Sequence, residues 1–497
     1  MASLLVLQST AWFIAQCLLS YQIFFVILVL LAPLLQLFAL FYILKVAERV
    51  IVKMALGERH LSGMDDLWVP QERETYYINA VFCFEHKGSV EEDIEIFRQA
   101  IWERLVNAKK ANGELLYYRT RCSVRSGWFQ YFFREDRSFK IENHVLKWEG
   151  EVPRSKEELE AIVSKLSMQP LPERRSPWCI VCIPTNFGSN DIFLMMRISH
   201  ALSDGISNMK FLIYQFPDEV IPQKETATSS TMKRSLSLAK AMFIAPRYVL
   251  KLLFTSADRS LMHGPNLSGV KKIVWSEALG LQLIKNIKSA TGTTVNDVFM
   301  ACMTMALRKY FQRKGVENPT DLTASIAVDV RPPSKELHFD NHATLVFLKM
   351  AVATGGILEP LHETQARMNE LKQSGVPLIS LGMLSISQEM CPRFLSTHLN
   401  TFITNKPSCV LSNLPGPQHM FTVKGRHMKY VMFFPPHKDN VGVILSILSY
   451  AGKVIVGVHG DAAVLPDPEI IVEEFGNAVN EMAKCVLQKN DSGLMGR

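Results

Sequence analysis

The chain has 497 residues, 48% of them apolar and 20% charged, with a formal net charge of +7. Its charge falls below the ~25% usual for soluble domains, and the shortfall is local, since no Asp, Glu, Lys or Arg precedes Lys45. The remainder has ordinary globular composition, which excludes a disordered chain, a collagen-like repeat and a multi-span carrier.

The length suits two large lobes or about three domains, and no internal repeat of 20–50 residues is evident. Nine cysteines, an odd number widely spaced, do not form a disulfide framework. Cys179 and Cys182 make a lone CxxC inside an apolar run. A zinc site needs more ligands, so reduced, buried thiols and no metal are expected.

A ~30 Å hydrocarbon core needs about 20 apolar helical residues. Tyr21 to Leu44 supplies such a run, with Tyr21 and Tyr42 as interfacial aromatics. Ala2 to Ser20, broken by Gln8, Ser9, Thr10 and Gln16, is the weaker candidate. A signal peptide would carry a basic start and a shorter apolar core. One transmembrane helix within 1–59, spanning about 21–44, is therefore expected, with a hairpin of two spans as the alternative. Lys45, Arg49 and Lys53 follow it against a single Glu48, which predicts a cytosolic C-terminal bulk. The location expected is an endomembrane, the endoplasmic reticulum first, or the plasma membrane, with the sequons at Asn266 and Asn490 unglycosylated.

Beyond the anchor, strand and helix patterns alternate. Thr75–Cys83 reads as a strand and Val90–Asn107 as a helix with Ile94, Phe97, Ile101 and Leu105 on one face. Tyr131–Phe133 and Ile141–Trp148 are short extended pieces. Ser155 caps a helix to Ser167, with Glu158 as its capping-box partner. Ile180–Pro184 and Ile192–His200 are apolar strands, and a helix runs from Asp204 to about Gln215. Residues 220–232 read as a linker. From Lys233 to Arg259 six basic residues face one acid, Asp258, and the segment reads as an interfacial helix kinked at Pro246 or a crossover helix packed on the lobes. Its partner would be an anionic membrane surface, not nucleic acid. Lys271–Trp275, Leu279–Ala290, Val295–Phe311 and Ala324–Val330 continue the alternation to Arg331-Pro332-Pro333. Val443–Tyr450 and Lys453–His459 form a hairpin across Ala451-Gly452. The fold class is α+β, with an N-terminal lobe over 60–220, a basic crossover segment over 221–269, a C-terminal lobe over 270–488 and a tail over 489–497.

In an extended chain Leu194, Met196, Ile198 and His200 share one face, while Arg197 and Ser199 point the other way. The strand ends in His200-x-x-x-Asp204-Gly205, preceded by Pro170-Leu171 and Pro177-Trp178. Thr294-Val295-Asn296-Asp297 opens a later helix, and Ser412-Asn413-Leu414-Pro415-Gly416-Pro417 follows near the C-terminus. In this order the motifs resemble the wax ester synthase/diacylglycerol acyltransferase family over roughly residues 60–488. The resemblance implies a chloramphenicol acetyltransferase-like fold of two lobes with a tunnel between them. It implies His200 as catalytic base, Asp204 and Gly205 as supports, and Asn296, Asp297, Asn413, Pro415 and Gly416 as structural or tunnel-shaping residues. Ser199 replaces the first of the family's two adjacent histidines.

The implied substrates are acyl-CoA, as co-substrate, and a long-chain alcohol or diacylglycerol, with no permanently bound cofactor. The chemistry agrees: moving an acyl group from a thioester to a hydroxyl needs a base near pKa 6.5 and donors for an oxyanion. No serine-nucleophile elbow, zincin or nucleotide-binding motif appears. The competing reading is a catalytically silent, membrane-anchored lipid-binding protein of the same fold.

Overall fold

The structure, a computed structural model, describes residues 2–69, 76–189, 191–222, 231–331 and 336–494. Thr75, most of the expected linker, Pro332-Pro333 and the last three residues of the tail lie outside the described residues. In chain order the first half runs α1 (Ala2–Leu30), α2 (Ala32–Leu56), β1 (Arg59–His60), α3 (Gly63–Asp66), β2 (Tyr77–Phe84) and α4 (Val90–Ile101). It continues with β3 (Cys122–Ser126), β4 (Tyr131–Glu135), β5 (Val145–Lys147), α5 (Lys156–Met168), β6 (Trp178–Pro184), β7 (Ile192–Ser199) and α6 (Gly205–Tyr214). The crossover helix α7 spans Thr231–Phe254.

The second half holds β8 (Lys271–Trp275), β9 (Leu279–Gly280), α8 (Leu281–Thr291), α9 (Val295–Arg313), β10 (Leu322–Asp329), β11 (Ala343–Met350) and α10 (Glu359–Gln373). After them come α11 (Val376–Met390), α12 (Arg393–Thr404), β12 (Cys409–Pro415), β13 (Thr422–Val423), β14 (Arg426–Phe434), β15 (Val443–Tyr450), β16 (Lys453–Asp461) and α13 (Pro468–Leu494).

Two large sheets organise these elements. The first has the order β13-β14-β2-β7-β6-β5, and the second β11-β10-β12-β15-β16-β8 with β9 also on β16. β14 pairs antiparallel with β2, from Phe434 opposite Asn79 to Met428 opposite Phe84. The C-terminal half thus completes the N-terminal sheet, and the lobes share a strand. β12 runs parallel to β10 and β15, and its end carries the Asn413–Gly416 motif to the lobe boundary. β1, β4 and β3 form a third, small sheet against α2.

Local chemistry sets the ends. Ser89 and Glu92 close a reciprocal capping box on α4, which ends at Ile101 and widens into a π-helical turn over Trp102–Val106. Ser155 caps α5, but the Glu158 carboxylate accepts from the Arg154 N–H (2.7 Å), not from Ser155, so the expected box is open.

The N-terminal pair differs from the expected single span over 21–44. Pro33 starts a new helix after Leu31, and this break falls inside that run. The stretch long and apolar enough to cross a membrane is Gln8–Leu30. The far half of α2 docks on the two-sheet body instead. Lys45 is buried and donates to the Gln388 carbonyl (2.7 Å), Arg49 pairs with Glu389 (2.5 Å), and buried Glu48 accepts from the Phe129 N–H (3.1 Å). Two of the three cations behind the topology argument are therefore used in packing.

α7 contains Pro246 and packs against α1 and α11. Arg247 donates to Gln16 Oε1 (3.0 Å) and stacks over Phe13, while Lys240 bonds the Gln373 carbonyl. Leu236, Met242 and Phe254 remain exposed. The crossover reading describes its inner face, and an apolar outer face is left over.

Candidate active site

β7 is buried on both sides, and the sheet ends at Ser199. His200 starts the turn that follows: its N–H donates to the Tyr76 carbonyl and its own carbonyl accepts from Asn341 Nδ2, both at 2.8 Å. The imidazole stacks on Trp68, with centroids 3.8 Å apart and planes 23° from parallel. It faces a chamber of about 100 Å³ walled by Trp68 and Gly205 on one side and Ser412, Leu414 and Pro435 on the other. Burial is the dominant influence on the ring. It outweighs the nearby Asp204 charge and lowers the pKa to about 4, below the 6.5 of a free histidine. At neutral pH the ring is an uncharged base.

Asp204 does not point its carboxylate at His200. It caps α6 through the Ser207 N–H (2.9 Å), and its other oxygen accepts from Arg331 (2.6 Å) and the His342 N–H (3.0 Å). Arg331 also holds Asp340 (2.8 Å) and the Ser207 hydroxyl (2.8 Å). Burial pushes the Asp340 carboxyl up, but hydrogen bonds from His338, His342 and Arg331 outweigh it and hold the group below the usual carboxylate range. This buried network ties the first turn of α6 to the loop after β10. Gly205 supplies clearance, because a Cβ there would sit 3.3 Å from Leu414 Cδ1.

The second motif cluster lies elsewhere. Thr294 and Asp297 form a capping box at the start of α9, and Asn413 Nδ2 donates to Asn296 Oδ1 (2.9 Å). Alternation on β12 turns Asn413 toward α9 and its neighbours Ser412 and Leu414 toward the chamber. Pro415 ends the strand. At Gly416 a Cβ would meet the Ser449 carbonyl oxygen at 2.4 Å, so only glycine allows that approach. None of Asn296, Asp297, Asn413, Pro415 and Gly416 lines the chamber at His200. Ser199 looks onto a separate, arginine-rich cleft on the other side of the strand end.

Several site residues carry no sequence signal. Trp68, Asn341, Arg331 and Asp340 come from loops, and Asp65 fixes Asn341 (2.8 Å) while it pairs with Arg119 (2.8 and 3.0 Å). The chamber adjoins an apolar pocket of about 60 Å³, with which it shares Ile78, Gly205, Leu414 and Phe433, and two further spaces. A polar opening of about 650 Å³, with Tyr76, Arg393 and Asn440 in its walls, shares Leu67 and Lys438 with it. An apolar passage of about 70 Å³ between α7, α11 and α12 shares Leu67, Leu345, Leu384 and Thr404 with it.

The wax ester synthase/diacylglycerol acyltransferase catalytic domain matches residues 61–259, and the C-terminal domain of the same family matches 339–483. The chain belongs to this family. Its members are acyl-CoA-dependent O-acyltransferases that act on an alcohol or diacylglycerol, and acyl-CoA is the co-substrate. A curated relative, wax ester synthase/diacylglycerol acyltransferase 10 of Arabidopsis thaliana, is 24% identical over 386 residues, 66% of this chain and 78% of the relative. The fold matches the wax ester synthase/diacylglycerol acyltransferase of Marinobacter aquaeolei VT8 with a TM-score of 0.60 at 18% identity, over 85% of this chain and 98% of that one. It also matches a trichothecene 15-O-acetyltransferase of Fusarium sporotrichioides, with a TM-score of 0.56 at 11% identity, over 86% and 94%.

Proposed function

We propose that this family member is a membrane-bound enzyme that transfers a fatty acyl group from acyl-CoA to a lipid alcohol, with His200 as general base. The observation that carries the reading is a neutral imidazole in a chamber where a polar opening and an apolar passage meet. Acyl-CoA is polar at one end and suits the opening that holds Arg393 and Lys438. The acceptor is apolar and suits the passage.

In the step itself the acceptor hydroxyl oxygen bonds to the thioester carbon while His200 removes its proton. The resulting tetrahedral oxyanion collapses, the carbon–sulfur bond breaks, and the imidazolium returns the proton to the thiolate. The products are an ester and free CoA, with no acyl-enzyme. Asp204 orients the loop and does not exchange protons, which suits its use by Arg331 and the α6 N-terminus. Gln8–Leu30 is the anchor, and the catalytic body stands on the cytosolic face of an endomembrane, the endoplasmic reticulum or the plasma membrane.

The deciding experiment incubates microsomes containing the full chain with labelled acyl-CoA and a panel of long-chain alcohol, diacylglycerol, sterol and short alcohol. Ester product from a long-chain alcohol or diacylglycerol supports the enzyme. Binding of these lipids without any product supports the silent lipid-binding alternative. Protease added to sealed microsomes should remove a C-terminal tag, and a glycan at exposed Asn266 would reverse the orientation.

A further inference from the structure

The passage between α7, α11 and α12 has walls of mixed character. Leu252, Met383, Leu399 and Ile403 give it an apolar lining. Two polar side-chain atoms in the same wall, Thr344 Oγ1 and Asn400 Nδ2, are buried and have no hydrogen-bond partner among the described residues, and Asn400 stands where the passage borders the polar opening. A third, Ser325 Oγ, lies in the chamber under the same condition. Buried polar atoms are normally paired, because an orphan has lost its water without gaining a partner. A guest that brings its own oxygen atoms would supply one.

The outer end of the passage is equally specific. Cys17 of α1, Ala241 and Ile244 of α7 and Ile379 of α11 pack in one buried cluster. The helix long and apolar enough to span a membrane is thus fixed to two of the helices that frame the passage. Tyr21 Oη also donates to the Met242 carbonyl (2.6 Å), and Tyr248 Oη and Ser380 Oγ meet at 3.4 Å across the α7–α11 seam. Ile386 of α11 and Phe394 and Phe402 of α12 are exposed. With α1 as the proposed anchor, a lipid in the leaflet beside it would lie next to the seam.

We infer that the α7–α11–α12 passage is a lateral portal through which an acylglycerol acceptor reaches His200 from the bilayer, and that Thr344 and Asn400 are specificity-determining residues for its ester oxygens. The inference rests on the proposed acyl transfer. A plain alkanol fits the apolar wall but leaves both orphans unpaired. Diacylglycerol presents carbonyl oxygens that can accept from the Asn400 amide and the Thr344 hydroxyl.

The test uses the full chain in microsomes with two readouts. A diacylglycerol bearing a photoactivated diazirine in one acyl chain should label peptides within 231–254 and 376–404, and Met383→Trp should reduce that label severalfold. In acyl-transfer assays Met383→Trp should raise the acceptor KM about tenfold and leave the acyl-CoA KM within twofold. Asn400→Leu and Thr344→Val, close in size to the originals, should each lower the ratio of diacylglycerol to hexadecanol specificity by about fivefold, the equivalent of one lost hydrogen bond. Label in these helices from a chain that makes no ester supports the portal while removing the enzyme reading. Label confined to other peptides, or unchanged acceptor ratios in both near-isosteric variants, overturns the portal.

Discussion

The His200 turn and the Asn296–Asn413 junction carry the two motif sets the sequence singles out, and they put them to opposite uses. At His200 the motif's first residue is desolvated, stacked on Trp68 and turned toward a chamber. At Asn296 and Asn413 the polar groups are spent on each other, on a helix cap and on a strand end. Asp204 belongs with the second class although it sits in the first motif, since its oxygens are taken by Ser207, Arg331 and His342. Motif membership marks a place in the fold, while unspent valence and access mark chemistry.

The largest effect expected from this contrast is on rate. His200→Ala should lower acyl transfer by ~10²–10⁴-fold with the melting curve little changed, while Ser199→Ala, facing the other cleft, should cost less than about threefold in rate on the same assay. Wild-type turnover in folded His200→Ala protein would dissolve the distinction between the two clusters.

The next effect is on stability. Arg331→Met leaves buried Asp204 without its cation and Asp340 with His338 and His342 alone, and breaking a buried ion pair costs about 3–5 kcal/mol. Thermal denaturation should show a large fall in Tm, partly recovered at acid pH. The sign follows from Asp340: its native pKa is depressed, so in the wild type the network's contribution is present above the unfolded carboxylate range and lost as pH falls through the native value. A variant without Arg331 keeps only the part of that contribution that His338 and His342 supply. A Tm equal to that of the wild type would mean that the network carries no load.

Asn413→Ala should be milder, about 1 kcal/mol for one hydrogen bond at a half-buried site. Because Asn413 faces α9, kcat at temperatures well below Tm should stay within about twofold. A rate loss of 10² with stability intact would move this junction into the catalytic class.

The contrast also explains what was legible beforehand. The alternation along Ile192–His200 placed His200 and Ser199 on different sides, and they open onto different cavities. Local patterns marked β7, β15 and β16 and the cap at Ser155, because periodicity and capping are near-neighbour effects. The lobes' shared strand was invisible, since β14 joins β2 across more than 340 residues and a single chain carries no signal of pairing at that distance. Trp68, Asn341 and Arg331 stayed hidden for the same reason: each acts on the His200 turn from a loop with no repeat or spacing of its own. The apolar run over 21–44 passes through Pro33, in the first turn of a second helix, so the stretch that is long and apolar enough to cross a membrane is Gln8–Leu30. Burial also lowered the His200 pKa to about 4 where the free-residue value of 6.5 was assumed.

That last difference gives the most direct test of the central claim, that a histidine kept neutral by burial takes the acceptor's proton. The measurement is kcat/KM for acyl transfer against pH on wild-type enzyme, which reports the free enzyme's essential base. Protonation of His200 removes the base, so the rate must fall as pH drops through its pKa. The profile should be flat from about pH 8 down to pH 5, with an acid limb near pH 4. An acid limb at pH 6.5 would contradict a desolvated His200, and a rate that rises on acidification would contradict its role as a base.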